Sequence, residues 1–377
     1  MAFNEKYVAD TATGGGTGTL ADPWTWDEAV TNVVAGDRVN VKAGTYTCVN
    51  DSSVNGTSSS PIHIRGYQTT PGDLDSQPLG TLVAGTGIPK VTATSGSYRG
   101  FNGQYLTFSH ISFHNSLNYQ TAWRLNQKSK AISCRFVCEG TASYHSVTGS
   151  NCTLYDCYLE TVSGAAVALL AENSAIIQCI VVGKGNASSG IRGGDAYGCI
   201  FKDFSGNAFY IEYSRLNTIS NCTFINCTTA IRETVSYANP VNIYACYFDT
   251  CTTAIKNNLT GGNWLVASCC YRNVVTEIDG VESQIDRRED TSEKFVDSAN
   301  NDFTLQFSSA GYALRSPKIV PEFGTTQGAD IGALQHVDPQ LSTGYTPTAG
   351  IQLFPFRQWV EDDFGVEIKG SVFHPLG

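Results

Sequence analysis

An apolar pair of positions recurs along the middle of the chain at intervals of 20 to 24 residues. The first position of the pair holds an isoleucine or a cysteine: Ile111, Cys134, Cys157, Cys179, Cys199, Cys222, Cys246 and Cys269. The second position, two residues later, holds an aliphatic or aromatic residue: Phe113, Phe136, Leu159, Val181, Phe201, Phe224, Phe248 and Tyr271. Residues two apart share one face of an extended strand, so the pattern predicts a short strand with one buried face in every interval.

The length of this interval predicts a solenoid in which each repeat forms one coil. A helical repeat would space its apolar residues three and four apart, and a leucine-rich repeat would show a Leu/Asn pattern, and these segments show neither. A parallel β-helix fits the interval, with about three short strands in each coil and equivalent residues stacked about 4.8 Å apart. Each coil then buries its inner face only against its neighbours.

The thirteen cysteines are interpreted as reduced packing groups. Their regular spacing places most of them at one inward position of the coil, where a free cysteine acts as a small apolar side chain. A few disulfides or a metal site are the alternatives, although the chain has no Cys-X-X-Cys pair of the kind that binds zinc.

The two ends of the chain differ from the repeats. Residues 23–30 have an acidic first turn and predict a short helix, which we expect to cover the open end of the solenoid. Residues 337–377 are apolar without the repeat, and we expect them either to pack on the solenoid or to join subunits. The predicted organisation is an N-terminal cap and first coil at 1–60, a parallel β-helix at 61–336 and a C-terminal tail at 337–377.

A family resemblance rests on the strands predicted at 35–46 and 61–67, the coils, and the closing segments 302–305 and 330–335. Together these resemble the pectin-lyase-like superfamily over residues 5–336. The resemblance implies an all-β fold, a right-handed single-stranded parallel β-helix with an N-terminal capping helix and a non-repeat C-terminal tail. That superfamily includes pectate, alginate and chondroitin lyases, glycoside hydrolases, phage tailspikes and non-enzymatic virion proteins, so the fold alone does not select a function.

Composition argues against two classes of partner. Only 15% of residues are charged, the net charge is −10, and no basic block is present to contact phosphates. These properties argue against nucleic acid and against an anionic membrane surface as partners.

No apolar run approaches the roughly 18 residues of a transmembrane helix. The N-terminus has no basic region followed by an apolar core, so it is not a secretory signal. We expect either that a signal has been removed or that the protein is made and first folded in a cytosol.

The repeat register also groups charged residues, and these form the candidate site. Counting seven residues back from the first position gives Glu172, Arg192 and Arg215, and counting ten residues forward gives Arg232 and Lys256. Since adjacent coils lie about 5 Å apart, we predict one stripe of catalytic candidates, formed by Glu172, Arg192 and Arg215, with Glu212 nearby. The candidate glycan-binding residues are Tyr210, Tyr213, Arg232, Glu233 and Lys256. An ion ladder that only solubilises the surface is the alternative.

The resemblance implies how such a site would act in a lyase. A Lys or Arg would remove a proton next to a uronate carboxylate, and Ca²⁺ or a second basic group would neutralise the charge that develops. Apart from this conditional Ca²⁺, we predict no cofactor and no metal site, because the acidic residues are scattered and the six histidines lack metal spacing. His110 and His114 are expected at the surface.

Two functions stay open at this point. The first is a virion-associated β-helix, such as a phage tail spike, fibre or capsid decoration, made in the host cytoplasm and binding a host-surface glycan. Its expected partners are further copies of the chain, with a trimer favoured, or other virion proteins. The second is an extracellular polysaccharide lyase or glycoside hydrolase that acts on an acidic polysaccharide.

Overall fold

The structure is a computed structural model, and it describes residues 3–75, 87–94, 100–116, 123–139, 145–162, 167–184, 187, 189–211, 217–233, 241–257, 264–267, 269–279, 284–285, 288–289, 295–297 and 302–305. These residues form an all-β solenoid of three long parallel sheets, and the predicted tail at 337–377 lies outside them. Each parallel strand pairs with its equivalent one coil earlier and one coil later, which is the arrangement that the 20-to-24-residue period predicts.

Sheet 1 contains the strands Asn4–Val8, Asp37–Lys42, Ile62–Tyr67, Leu106–Ser109, Lys130–Ile132, Thr153–Tyr155, Ala175–Ile177, Asp195–Tyr197, Asn217–Ser220, Val241–Tyr244, Trp264–Ala267 and Gln284–Ile285. Sheet 2 contains Thr45–Cys48, Lys90–Ala93, Ser112–Asn115, Arg135–Cys138, Tyr158–Thr161, Ile180–Gly183, Ile200–Lys202, Thr223–Ile225, Tyr247–Asp249, Cys270–Arg272 and Arg288–Glu289. Sheet 3 contains Trp123–Leu125, His145–Ser150, Val167–Glu172, Ser189–Arg192, Asn207–Ile211, Thr229–Glu233, Thr253–Lys256 and Thr276–Asp279. Two short pairs complete the described strands, Asp51–Ser52 with Gly100–Phe101 and Phe295–Asp297 with Asp302–Leu305.

The corner from sheet 1 to sheet 2 is two residues long in every coil from Leu106–Ser109 onward. Its first residue has a left-handed backbone, with φ between 48° and 59° at His110, Ser133, Asp156, Gln178, Gly198, Asn221 and Ala245. Its second residue is the repeated isoleucine or cysteine, and those side chains are at most 1% exposed. The left-handed residue turns the chain sharply enough to point the next side chain into the interior, where a small group such as a thiol fits.

The connections at the other two corners vary in length. Seven residues join Asn115 in sheet 2 to Trp123 in sheet 3, but only three join Ile225 to Thr229. From sheet 3 to sheet 1, two residues separate Arg192 from Asp195, whereas seven separate Glu233 from Val241. The coil length therefore changes at these two corners and stays constant at the first one.

Stacked aromatic rings fill the inner face of sheet 2. The rings of Phe201 and Phe224 lie 4.7 Å apart with 8° between their planes, and those of Phe224 and Phe248 lie 5.2 Å apart at 10°. Tyr271 continues the stack at 5.3 Å from Phe248. The strand register places all eight predicted second-position residues opposite one another, so this part of the prediction is confirmed. Burial of each large side chain contributes about 1.5–3 kcal/mol.

All thirteen cysteines are free and buried. Several corner thiols donate to the carbonyl oxygen two residues earlier, as Cys157 does to Tyr155 and Cys222 to Ser220, both at 3.3 Å. Burial raises the pKa of Cys152 to about 12, against the smaller effect of a hydrogen bond with Ser174. That sulfur is therefore a neutral thiol at ordinary pH, as expected of a packing group.

A short helix, Trp26–Asn32, lies close to the position predicted from the acidic first turn. Thr25 caps its N-terminus and forms a reciprocal capping box with Glu28. Trp26 packs its indole against the rings of Phe101 at 5.5 Å, Tyr46 at 6.2 Å and Phe113 at 6.4 Å, which anchors the helix to the first coils. Its role as a cap of the solenoid stays a prediction. In the described part of the chain, no helix has the length and apolarity needed to cross a bilayer.

Candidate functional site

The predicted site residues fall into three groups. Arg192, Tyr210, Arg232, Glu233 and Lys256 are described with their side chains. Glu172 ends the strand Val167–Glu172, so its backbone position is defined. The remaining candidates, Glu212, Tyr213 and Arg215, lie outside the described residues.

Four of these residues occupy one outward column of sheet 3. The register pairs Arg192 with Tyr210, Tyr210 with Arg232, and Arg232 with Lys256 on successive coils. The column extends in both directions and consists of Arg124, Thr148, Leu170, Arg192, Tyr210, Arg232, Lys256 and Asp279. We call it the cationic column. The preceding residue on each of six strands is fully buried, namely Val147, Leu169, Ile191, Phe209, Ile231 and Ile255. Because side chains alternate along a strand, the column lies on the outer face.

The register corrects the predicted stripe of Glu172, Arg192 and Arg215. Glu172 lies opposite Ser150, whereas Arg192 lies opposite Leu170 and Tyr210. Counting back from the corner cysteines was wrong for this pair because the strand Val167–Glu172 continues two residues beyond Leu170, the partner of Arg192, whereas the next strand ends at Arg192 itself. Counting forward was correct for Arg232 and Lys256, which are direct neighbours.

Contacts along the column hold its side chains in place. The guanidinium carbon of Arg192 lies 5.1 Å from the centre of the Tyr210 ring, a cation–π distance. At the last coil of the column, Lys256 Nζ lies 3.0 Å from Asp279 Oδ2. The two arginines and the tyrosine between them are partly exposed, so their polar groups reach the surface.

Glu233 does not belong to this surface, which corrects its prediction as a glycan-binding residue. It follows Arg232 by one position and therefore points to the opposite side of the strand. Only 1% of Glu233 is exposed. Glu233 was predicted only because it is next to Arg232 in the sequence. Adjacent residues in a strand point to opposite faces, so this proximity does not put them on the same surface.

A second polar group lies on the outer face of sheet 2, and the sequence did not indicate it. Ser112 Oγ lies 3.0 Å from His114 Nε2, and His114 Nδ1 lies 2.9 Å from Glu139 Oε1. We call these three residues the Ser–His–Glu chain. His110 and His114 were expected at the surface, but they are only 5% and 6% exposed. The strands on both sides pair with the His114 strand, and Ser112 and Glu139 contact its ring, so the histidine is buried although it points outward.

Buried ion pairs follow along the same face of sheet 2. Glu160 accepts from Arg135 at 3.1 Å and from Lys184 at 2.6 Å. Burial alone would raise the pKa of Glu160, but the hydrogen bonds from Lys184 and Arg135 outweigh it and lower the pKa. Further along, Asp249 is 1% exposed and its Oδ1 lies 2.8 Å from Arg272 Nε. In each pair a cation compensates the charge of a buried carboxylate.

Across the ranges that the structure describes, no group of three His, Cys, Asp or Glu side chains is placed to hold a metal ion. The Ca²⁺ that a lyase would use therefore has no assigned ligands in this part of the chain.

No protein-family model matches the chain, and no curated protein matches it in sequence. Among solved structures, the fold is similar to that of pectate lyase Pel9A, with a TM-score of 0.53, 10% identity, and coverage of 89% of this chain and 97% of the lyase. The Geobacillus virus E2 ORF18 protein matches at a TM-score of 0.47 and 12% identity over 75% of this chain and 59% of its own. An Acinetobacter phage tailspike protein matches at 0.45 and 12% over 72% and 57%. Likeness at such identities concerns the fold alone. The chain therefore folds as a parallel β-helix, and its fold is similar to that of the pectate lyase.

Proposed function

We propose that the cationic column binds an acidic polysaccharide and that the protein is a virion-associated, glycan-binding β-helix. The observation that carries the proposal is the run Arg192, Tyr210, Arg232 and Lys256 on four consecutive coils of the outer face. The whole chain has a net charge of −10, so three cations within four consecutive coils of one surface indicate a negatively charged ligand.

The residue types in the column suit a uronate-type glycan. A guanidinium binds a carboxylate through two parallel hydrogen bonds, which a lysine does not reproduce. A tyrosine ring offers an apolar face to a sugar ring and a hydroxyl to its substituents. Since these groups repeat with the strand spacing of about 4.8 Å, they meet successive units of an extended polymer laid along the solenoid axis.

The virion part of the proposal is supported by the cysteines and by the tail. Thirteen free, buried cysteines suit a chain that folds in a reducing cytoplasm, such as that of an infected host. The C-terminal tail at 337–377 carries an apolar set that suits subunit contact: Phe354, Phe356, Trp359, Val360, Phe364, Val366 and Phe373. We therefore favour a homotrimer, or contact with other virion proteins, and location in the virion, with an extracellular location as the alternative.

Binding is tested with polygalacturonate, a carboxylated glycan, against neutral dextran by isothermal titration calorimetry. We expect binding to polygalacturonate only, weakening as salt rises. The double variant Arg192→Gln/Arg232→Gln should lose roughly tenfold in affinity, at about 0.5–1 kcal/mol for each exposed charge. The matched control Lys42→Gln/Lys128→Gln removes two exposed charges away from the column and should bind like the wild type. An equal loss of affinity in the two double variants would show that the cationic column does not bind the glycan. No loss of affinity in Arg192→Gln/Arg232→Gln would show the same.

Assembly is tested separately by light scattering of the full chain. A mass three times the 40.5 kDa of one chain supports the virion proposal. A stable monomer at micromolar concentration would contradict the role of the tail in assembly and leave the glycan site as an independent question.

A lyase is the second candidate function, and one observation favours it. Two arginines are held on either side of Tyr210, which supplies one basic group for proton removal and one cation for the carboxylate. The assay follows the ultraviolet absorbance of unsaturated products from polygalacturonate and alginate, with and without added Ca²⁺. Product that disappears in Arg192→Ala supports the lyase, whereas tight binding without product supports the binding protein.

A further inference from the structure

We propose that the Ser–His–Glu chain on sheet 2 is a hydrolytic site for small carboxylic esters, with Ser112 as nucleophile, His114 as base and Glu139 as its positioning residue. The substrate class is a short acyl ester, such as an O-acetyl group on a sugar. This site is separate from the cationic column, and the proposal does not depend on the glycan-binding function.

The backbone fixes the three residues relative to one another. Ser112 and His114 lie two apart on the strand Ser112–Asn115, so both side chains point to the outer face. Glu139 directly follows the strand Arg135–Cys138 on the next coil, and its N–H donates to the carbonyl of Asn115 at 2.8 Å. The contacts of 3.0 Å between Ser112 and His114 and 2.9 Å between His114 and Glu139 therefore rest on regular sheet structure. Nucleophile, base and carboxylate in hydrogen-bonded order define such sites on unrelated folds.

The surroundings keep His114 in the form that a base requires. Burial lowers the pKa of His114, and the nearby Lys90 and Arg135 lower it further, against the opposing effect of Glu139. The imidazole is therefore neutral at pH 7. With its proton on Nδ1 and donated to Glu139, Nε2 is free to accept the proton of Ser112.

Two cations flank the serine in the same register. Lys90 lies opposite Ser112 on the preceding coil and Arg135 lies opposite it on the following coil. Arg135 uses Nη2 to bind Glu160 at 3.1 Å, while its buried Nε has no hydrogen-bond partner. A donor and positive charge in this position suit the oxygen that becomes negative when an ester carbonyl is attacked.

The reaction balances with water as the only co-reactant. Ser112 Oγ attacks the carbonyl carbon while His114 Nε2 takes its proton, and the negative oxygen is stabilised by Arg135 and Lys90. Collapse breaks the bond to the alcohol oxygen, which leaves with the proton from His114. Water then gives a proton to His114 as its oxygen bonds to the acyl carbon. The bond between that carbon and Ser112 Oγ breaks, Oγ takes the proton back from His114, and the acid is released.

Burial limits the size of the acyl group. Ser112 is 1% exposed and His114 6%, whereas the Glu139 side chain is 40% exposed. The serine lies beneath the surface, so we expect acetyl and similarly small groups to react and bulky acyl groups to fail.

The experiment treats the full folded chain with methanesulfonyl fluoride, a serine reagent of acetyl size, and, separately, with p-nitrophenyl acetate. We expect one methanesulfonyl adduct on Ser112, and hydrolysis that rises with pH through a pKa below 6.5. Ser112→Ala should abolish both, while the control Ser109→Ala, on the outer face of sheet 1, should change neither. Glu139→Gln should slow hydrolysis roughly a hundredfold and shift its pH profile, because the histidine loses its orienting carboxylate.

Three outcomes would overturn the proposal. The first is wild-type protein that gives no adduct and hydrolyses the ester no faster than Ser112→Ala. The second is labelling of Ser109 and other serines as readily as Ser112. The third is Glu139→Gln with wild-type rate and pH profile, which would make the chain a structural hydrogen-bonded group. If Ser112→Ala does not fold, the adduct on wild-type protein and the Glu139→Gln profile still decide the matter.

Discussion

Replacing Phe224 with alanine should lower the free energy of unfolding by about 4 kcal/mol. Phe224 is fully buried, and its ring stacks 4.7 Å from Phe201 on one side and 5.2 Å from Phe248 on the other. Removal of a buried phenyl group costs about 3–5 kcal/mol, which combines lost transfer free energy with the cavity left behind. We place the loss in the upper half of that range because the backbones of both neighbours are fixed by the sheet register and close the cavity poorly.

The assay is urea unfolding followed by far-ultraviolet circular dichroism and by the fluorescence of the five tryptophans. Coincidence of the two signals is checked first, because solenoids unfold in one step only when their coils remain coupled. Phe224→Leu keeps most of the volume and should cost under about 1.5 kcal/mol. Val275→Ala, at a side chain that is 80% exposed, is the control and should change stability by under about 0.5 kcal/mol. A loss below about 1.5 kcal/mol for Phe224→Ala would refute the stacked register.

Three further predictions concern an ion pair, a histidine and the thiols. Arg272→Leu leaves the carboxylate of Asp249 buried without its guanidinium and should cost about 3–5 kcal/mol in urea unfolding. An equal loss in the double variant with Asp249→Leu would contradict this reason. Burial, with Arg38 nearby, lowers the pKa of His63 to about 4 from 6.5, so the unfolded state binds the proton first and stability falls as pH decreases from 6.5 towards 4. Between pH 7 and 5 the unfolding free energy of His63→Gln should fall less than that of the wild type, and parallel curves would exclude the effect. All thirteen buried thiols should resist Ellman's reagent in the folded protein and react in guanidinium, whereas fast reaction of several native thiols would show an open interior.

The inner face of the solenoid was predictable from the sequence for a physical reason. An inward position stacks on its equivalents in the neighbouring coils, so its residue type is restricted to what packs there. The phenylalanines at 201, 224 and 248 therefore repeat visibly, and the structure stacks them. The cysteines repeat because the second residue of the two-residue corner points inward.

The outer face was predicted less well because nothing forces its residues to repeat. Arg192 was assigned to Glu172 as a neighbour, but the sheet 3 strand that ends at Glu172 extends two residues beyond Leu170, the actual partner of Arg192. The Ser–His–Glu chain was missed because its members lie on two coils, with 25 residues between His114 and Glu139. A search for Ser-X-His on a strand, followed by an acidic residue one period later, would have found it.

From the strand Leu106–Ser109 onward, the corner between sheets 1 and 2 keeps its length of two residues in every coil, and this length sets which side chains of the following strand point inward. A residue inserted between Tyr244 and Tyr247 would exchange inside and outside for the strand that follows, and would expose aromatic rings in place of polar groups. The same insertion between Glu233 and Val241 would be taken up by a connection that already varies. In these coils, the two corners on either side of sheet 3 can therefore accept longer recognition loops, whereas the corner between sheets 1 and 2 tolerates substitution but not a change of length.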